Sequence, residues 1–168
     1  TPMSTYMQYF FDHSGQFLSV IAVAVLWLGL AALGGAISGV GRMRALDPLV
    51  GWAWVGFVFT AAGVFLAIPF TYLAVVTAVI AAGAGFWVWR RDGGLVPGVF
   101  LRMLVLTIPL LILVSAMRAS QWDEFSDWMI IPRYMLETDA FPSKDNSYPN
   151  AVYTGYPYSW HFVTYLAS

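Results

Sequence analysis

Two long runs without a single charge constrain this chain more than anything else in it. Ser14 to Gly41 is uncharged for 28 residues, and Pro48 to Trp89 for 42. A helix of about 20 apolar residues crosses the hydrocarbon core of a bilayer. The first run therefore holds one span and the second holds two. Composition agrees, with 60% of the 168 side chains apolar and only 10% charged. Soluble domains carry about a quarter charged residues. Too few charges remain here to cover a water-facing surface, which excludes a soluble globular domain and a disordered chain. The fold class that remains is an all-α integral membrane protein.

The charges between the runs mark the loops. Arg42, Arg44 and Asp47 follow the first run, and Arg90, Arg91 and Asp92 with Gly93-Gly94 follow the second. A turn at Ile68-Pro69-Phe70-Thr71 divides the longer run, because proline interrupts a helix. Met103 to Met117 is uncharged for only 15 residues. A fourth helix must therefore begin near Pro97, with Arg102 snorkelling back to the headgroups and Pro109 kinking it. The expected spans are Phe17–Val40, Leu49–Phe70, Tyr72–Trp89 and Gly98–Met117. Gly35-Ala36-Ile37-Ser38-Gly39 has the small-xxx-small spacing that lets helices approach closely, within one bundle or between two copies. The amino-terminal stretch lacks the basic region of a signal peptide, and its apolar run is too long for one.

Orientation follows from the arginines. Arg42, Arg44, Arg90, Arg91 and Arg102 lie in or beside alternate loops, and the other loops up to the end of span four hold none. The positive-inside rule puts these arginines in the cytoplasm. The N-terminus and the segment after span four then lie outside. The net charge of −1 leaves no basic excess for a phosphate backbone, so nucleic acid is not an expected partner. With no cysteine and only His13 and His161, no metal-ligand spacing exists.

The tail from Arg118 to Ser168 is a different kind of sequence. Its 51 residues hold six of the nine acids, twelve aromatics and four prolines. Two patches concentrate them. The first is Trp122-Asp123-Glu124-Phe125-Ser126-Asp127-Trp128, continuing to Pro132-Arg133. On a helix its aromatics form one stripe and its acids another. One reading is an amphipathic interfacial helix with solvated acids, as charge clusters usually are. The other is a carboxylate cluster held at the membrane surface, where partial desolvation makes a better base. The second patch is Tyr156-Pro157-Tyr158-Ser159-Trp160-His161, leading into an apolar run, with Pro157 suited to the first turn of a helix. The expected organisation is a four-helix bundle over 1–117, an external loop with a short interfacial helix over 118–157, and the start of a further transmembrane or interfacial helix over 158–168. The start at Thr1 and the apolar end lead to the expectation of an amino-terminal piece of a longer polytopic protein.

At these two patches the chain resembles bacterial polytopic membrane glycosyltransferases of the C-type superfamily, which use polyprenyl-phosphate sugars. In such proteins a W-D-E-[FY]-[ST]-x-W segment follows a transmembrane helix on the external side. A Y-P-P-G-like helix start comes some thirty residues later. The resemblance covers about fifty residues. Asp127 replaces the expected histidine or other polar residue, and Pro157-Tyr158-Ser159 replaces a Pro-Pro-Gly run. The resemblance implies that Asp123 or Glu124 is the general base toward an acceptor hydroxyl, or a ligand of a divalent cation near the donor phosphate. That cation is the one cofactor it allows. Trp122, Trp128, Arg133, Tyr156 and His161 are then the substrate-binding candidates, with the aromatics on sugar or lipid and Arg133 on phosphate.

The competing reading is a non-catalytic accessory subunit packed against a larger bioenergetic or photosynthetic complex. Such a subunit needs only lipid-facing spans, small-residue faces and an aromatic tail. A transporter or channel has little support, because the spans hold no central ionisable residue. The orientation is directly testable. Single cysteines at Ser4 and Ser143 should react with an impermeant thiol reagent in intact cells, and one at Ala45 should not. The opposite pattern would reverse the topology.

Overall fold

A computed structural model describes residues 16–39, 43–95, 129–141 and 158–168, together with positions 97, 98, 101, 102, 105, 106, 108 and 109. Its elements are α1 (Gln16–Ser38), a 3-10 turn (Arg44–Leu46), α2 (Asp47–Phe65), α3 (Phe70–Asp92), α4 (Ile130–Thr138) and α5 (Ser159–Ala167). The described residues are mostly helical and include no strand.

Three helices, α1 to α3, are long and apolar enough to cross a membrane. At 1.5 Å per residue they measure roughly 28–35 Å, the thickness of a hydrocarbon core. Only a helix satisfies its own backbone there without water. Their outer faces are apolar, with Val23, Phe57, Val75, Val79 and Phe86 exposed. The fourth expected span is described only in part. Positions 98, 101, 102, 105, 106, 108 and 109 are helical, and Leu101, Val105, Leu106 and Ile108 are exposed. The rest of Gly98–Met117 lies outside the described residues.

The boundaries shift from the sequence expectation for physical reasons. α2 begins at Asp47, not Leu49, because Pro48 suits the first helical turn and Asp47 favours a helix N-terminus. It ends at Phe65, five residues early. The chain then turns through Leu66–Pro69, with Ala67 in the left-handed region at φ 49°. Pro69 is the N-cap of α3. α3 runs on to Asp92 and ends on Gly93, at φ 72°, whose N–H donates to the Trp89 carbonyl.

α1 and α2 are antiparallel and touch backbone to backbone. A Cβ on Gly34 would overlap the Asp47 carbonyl, and one on Gly51 would overlap the Leu30 carbonyl. The close approach is thus made by Gly34, not by the Gly35/Gly39 pair that the spacing suggested. Gly39 lies beyond the end of α1, with φ 71° and open space around it. α3 runs parallel to α1, with Gly85 against Ala32 and Gly29 against Ala81.

The arginine-bearing loops share one end of the bundle, as the charge pattern required. Arg44 donates to the Gly94 carbonyl and lies 3.9 Å from Asp92. Arg91 holds Asp92 at 2.8 and 3.0 Å and donates to the Gly35 carbonyl at 2.9 Å.

The glycine contact predicts a graded stability series. Gly34→Ala and Gly51→Ala should each cost about 1–3 kcal/mol through overpacking. Gly83→Ala, with open space at its Cβ, should be neutral within about 1 kcal/mol. Thermal unfolding of the detergent-purified variants measures the difference.

Candidate functional site

The end of the bundle away from the arginines carries the described part of the tail. α4 begins at Ile130 and carries Pro132 in its first turn, where no intrahelical N–H bond is lost. The Trp122–Trp128 patch lies outside the described residues, and within the expected loop over 118–157 these hold one short helix, Ile130–Thr138. It buries Ile131, Tyr134 and Met135 and exposes Arg133, Leu136 and Glu137. Its apolar stripe packs on α5 and the bundle, and Met129 remains exposed.

α5 lies along α2 and runs in the same direction. Ser159 sits against Gly56, the Phe162 ring is 5.3 Å from Phe59, and the Tyr165 ring is 5.8 Å from Phe70. The helix starts at Ser159, two residues after Pro157, beside the middle of α2. From there it rises to the α2–α3 turn. Trp52 Nε1 donates to the Ser159 carbonyl at 2.9 Å, and the Trp52 and Trp160 rings lie 5.9 Å apart.

An aromatic cluster fastens these pieces together. Phe70, fully buried, touches Phe59, Phe141, Phe162 and Tyr165. Phe141 meets Phe70 and Tyr158 edge to face at 5.0 and 4.9 Å, the geometry that aromatic quadrupoles favour. Gly63 leaves the space that the Phe141 ring fills.

Asp139 is the polar partner of this cluster. It ends α4 at φ 55°, a conformation that aspartate tolerates better than most residues. Its carbonyl accepts the Phe70 N–H at 3.2 Å, and its carboxylate accepts the Thr71 N–H at 2.7 Å. Two of the orphan donors at the start of α3 are satisfied by one residue, and its negative charge sits at the positive end of the helix. The Tyr165 hydroxyl donates to the same carboxylate oxygen at 2.9 Å. Burial, more than any other cause, pushes the Tyr165 hydroxyl above its ordinary pKa, which keeps it protonated as a donor. Asp139 thus caps α3, a role that needs two elements distant in sequence and is invisible in either.

The sequence-selected residues fare unequally. Asp123, Glu124, Trp122, Trp128 and Tyr156 lie outside the described residues. Arg133 is on the outer face of α4, 73% exposed, and pairs with Glu137 at 2.7 Å one turn on. His161 is 3% exposed and packs 5.7 Å from the Tyr158 ring. It belongs to the contact between tail and bundle and does not present its imidazole to an open surface. Among the described residues, no group of three or more acids or histidines stands close enough to hold a metal ion. The Asp139 carboxylate is engaged by Thr71 and Tyr165, and Glu137 by Arg133.

The fold and this end of it define a helical protein with at least three membrane-spanning candidates and an aromatic tail docked on them. No family model, curated protein or solved structure matches the chain.

The Asp139 node makes its own prediction. Asp139→Ala should cost about 1–2 kcal/mol, by loss of the cap and of a residue suited to positive φ. Asp139→Asn keeps an acceptor oxygen and should cost less, and Tyr165→Phe about 1 kcal/mol. Equal unfolding temperatures for Asp139→Ala and the wild type in detergent would contradict the capping role.

Proposed function

We propose that the chain is the amino-terminal part of a C-type glycosyltransferase with four transmembrane helices. In this reading it transfers a sugar from a polyprenyl phosphate on the non-cytoplasmic face of a bacterial membrane. One observation carries the reading. α4 follows the Trp122–Trp128 segment directly in the chain, and it is fastened at the α2–α3 turn, the end of the bundle opposite Arg44 and Arg91. The positive-inside rule makes that end external. The acidic segment thus leads in sequence into a helix held at the face on which a lipid-linked donor is used.

The chemistry asked of the residues is inverting transfer. Asp123 takes the proton of the acceptor hydroxyl as its oxygen attacks the anomeric carbon, and the bond from that carbon to the phosphate oxygen breaks. The leaving group is the polyprenyl phosphate. Glu124 is the alternative base. Arg133, 73% exposed beside Glu137 on the outer face of α4, takes the donor phosphate. Trp122, Trp128 and Tyr156 stack on sugar or lipid. His161 is assigned to packing.

Replacing Asp123 by Asn keeps size and removes the base. Turnover of a polyprenyl-phosphate sugar by membranes carrying Asp123→Asn should fall about 10²–10⁴-fold. Asp145→Asn should leave turnover near the wild-type rate. Asp139→Asn should lower stability more than chemistry. Equal rates for Asp123→Asn and wild type would remove Asp123 from the mechanism. No transfer by the full-length parent would favour the accessory-subunit reading, which the broad exposed apolar faces of α1 and α3 also suit.

A further inference from the structure

α1 and α3 meet at small residues, Gly29 on Ala81 and Ala32 on Gly85. Along this seam lies a partly open groove of about 730 Å³ that Val55 of α2 and Leu166 of α5 also line, within the range of small-molecule sites. Its walls are apolar, among them Val25, Ala78, Ala82, Phe86 and Leu95, and Thr77 brings the one hydroxyl. It follows the two helices from Ala22 and Ala74 toward Trp89 and Leu95, that is, from the turn end to the arginine end.

The arginine end of the cleft is cationic. The Arg90 guanidinium lies over the ring of Phe86, a wall residue, 4.6 Å from its centre. Arg44 donates to the carbonyl of Gly94, next to the wall residue Leu95. Arg91 reaches across from α3 to the Gly35 carbonyl of α1. Two carboxylates answer these three cations. Asp92 is held by Arg91, and Asp47 is 2% exposed at the start of α2. Arg90 is exposed and makes no ion pair among the described residues. Arg44 Nε and Arg91 Nη1 are buried with no hydrogen-bond partner among them. The cluster therefore carries surplus positive charge at the mouth of an apolar slot.

We propose that this cleft is a binding site for an anionic phospholipid, with one acyl chain along the seam of α1 and α3 and the phosphate on Arg90 and Arg44. Both halves of the site are needed to choose the occupant. The apolar walls exclude a free anion from most of the cleft. The surplus cation favours a headgroup of net negative charge over a zwitterionic one, whose ammonium would meet the same arginines. A phosphate accepts hydrogen bonds from guanidinium groups along more than one edge, which suits a pair of arginines better than lysines. The headgroup end of the site lies at the opposite end of the bundle from α4, away from the proposed transfer chemistry. It rests only on the chain spanning a membrane.

The test uses the full chain, purified and delipidated in neutral detergent. It is offered an equimolar mixture of phosphatidylglycerol and phosphatidylcholine and read by native mass spectrometry. Phosphatidylglycerol should be retained at least tenfold over phosphatidylcholine. Arg90→Gln, at an exposed position that the fold does not need, should abolish that preference. Arg44→Gln should weaken it. Ala82→Phe, which fills the cleft without touching a charge, should lower retention of phosphatidylglycerol at least tenfold. Millimolar inorganic phosphate should not displace the lipid. Unchanged preference in Arg90→Gln, unchanged retention in Ala82→Phe, or displacement by inorganic phosphate would each overturn the proposal.

Discussion

The contact between Gly34 on α1 and Gly51 on α2 sets the geometry on which the other elements rest. Lipid tails are as apolar as leucine, so helices in a membrane gain little from hiding apolar surface from each other. They gain instead from close van der Waals contact and from hydrogen bonds. Two glycines, each facing a backbone carbonyl of the partner helix, allow α1 and α2 to meet without side chains between them. α3 lies against α1 through Gly29–Ala81 and Ala32–Gly85. Gly35 is then within reach of Arg91, so that the arginine end closes with backbone carbonyls and Asp92 as acceptors.

The other end is held by rings and one carboxylate. Each favourable aromatic pair contributes about 0.5–1.5 kcal/mol beyond burial, and Phe70 takes part in four of them. Asp139 adds direction, because its carbonyl and carboxylate must both reach the first turn of α3. The tail is thereby tied to the bundle at its aromatic face. α4 owes its position to Phe70 and Asp139.

Much of this was legible in residues 14 to 92. The absence of charge over 28 and 42 residues has one physical solution, a helix through lipid, so the three long helices could be read directly. Arg44 and Arg91 share an end because alternate loops of an up-down-up bundle must. Helix ends were less legible. Asp47-Pro48 was read as loop although both residues suit a helix start, and the chain turns before Pro69, not at it. What stayed hidden depends on distant partners. Gly34 is distinguished from Gly35 only by the rotation of α1 against α2. Asp139 looks like a solvated acid until Thr71 and Tyr165, 68 and 26 residues away, are brought to it. The direction of α5 follows from Gly56, Phe59 and Phe70 together, and no local pattern encodes it.

The central claim is that the tail docks on α2 through the aromatic cluster, with α5 running the same way as α2. The chain has no cysteine, so a single engineered pair reports without background. A Cβ at Gly56 would lie 3.4 Å from that of Ser159, at the short edge of disulfide geometry. Gly56→Cys with Ser159→Cys should form an intramolecular disulfide under mild oxidation in native membranes, whereas Gly56→Cys with Ser168→Cys should not. Cross-linking of the 56/168 pair in place of 56/159 would mean that α5 runs the other way, and the account of how the tail is held would be wrong.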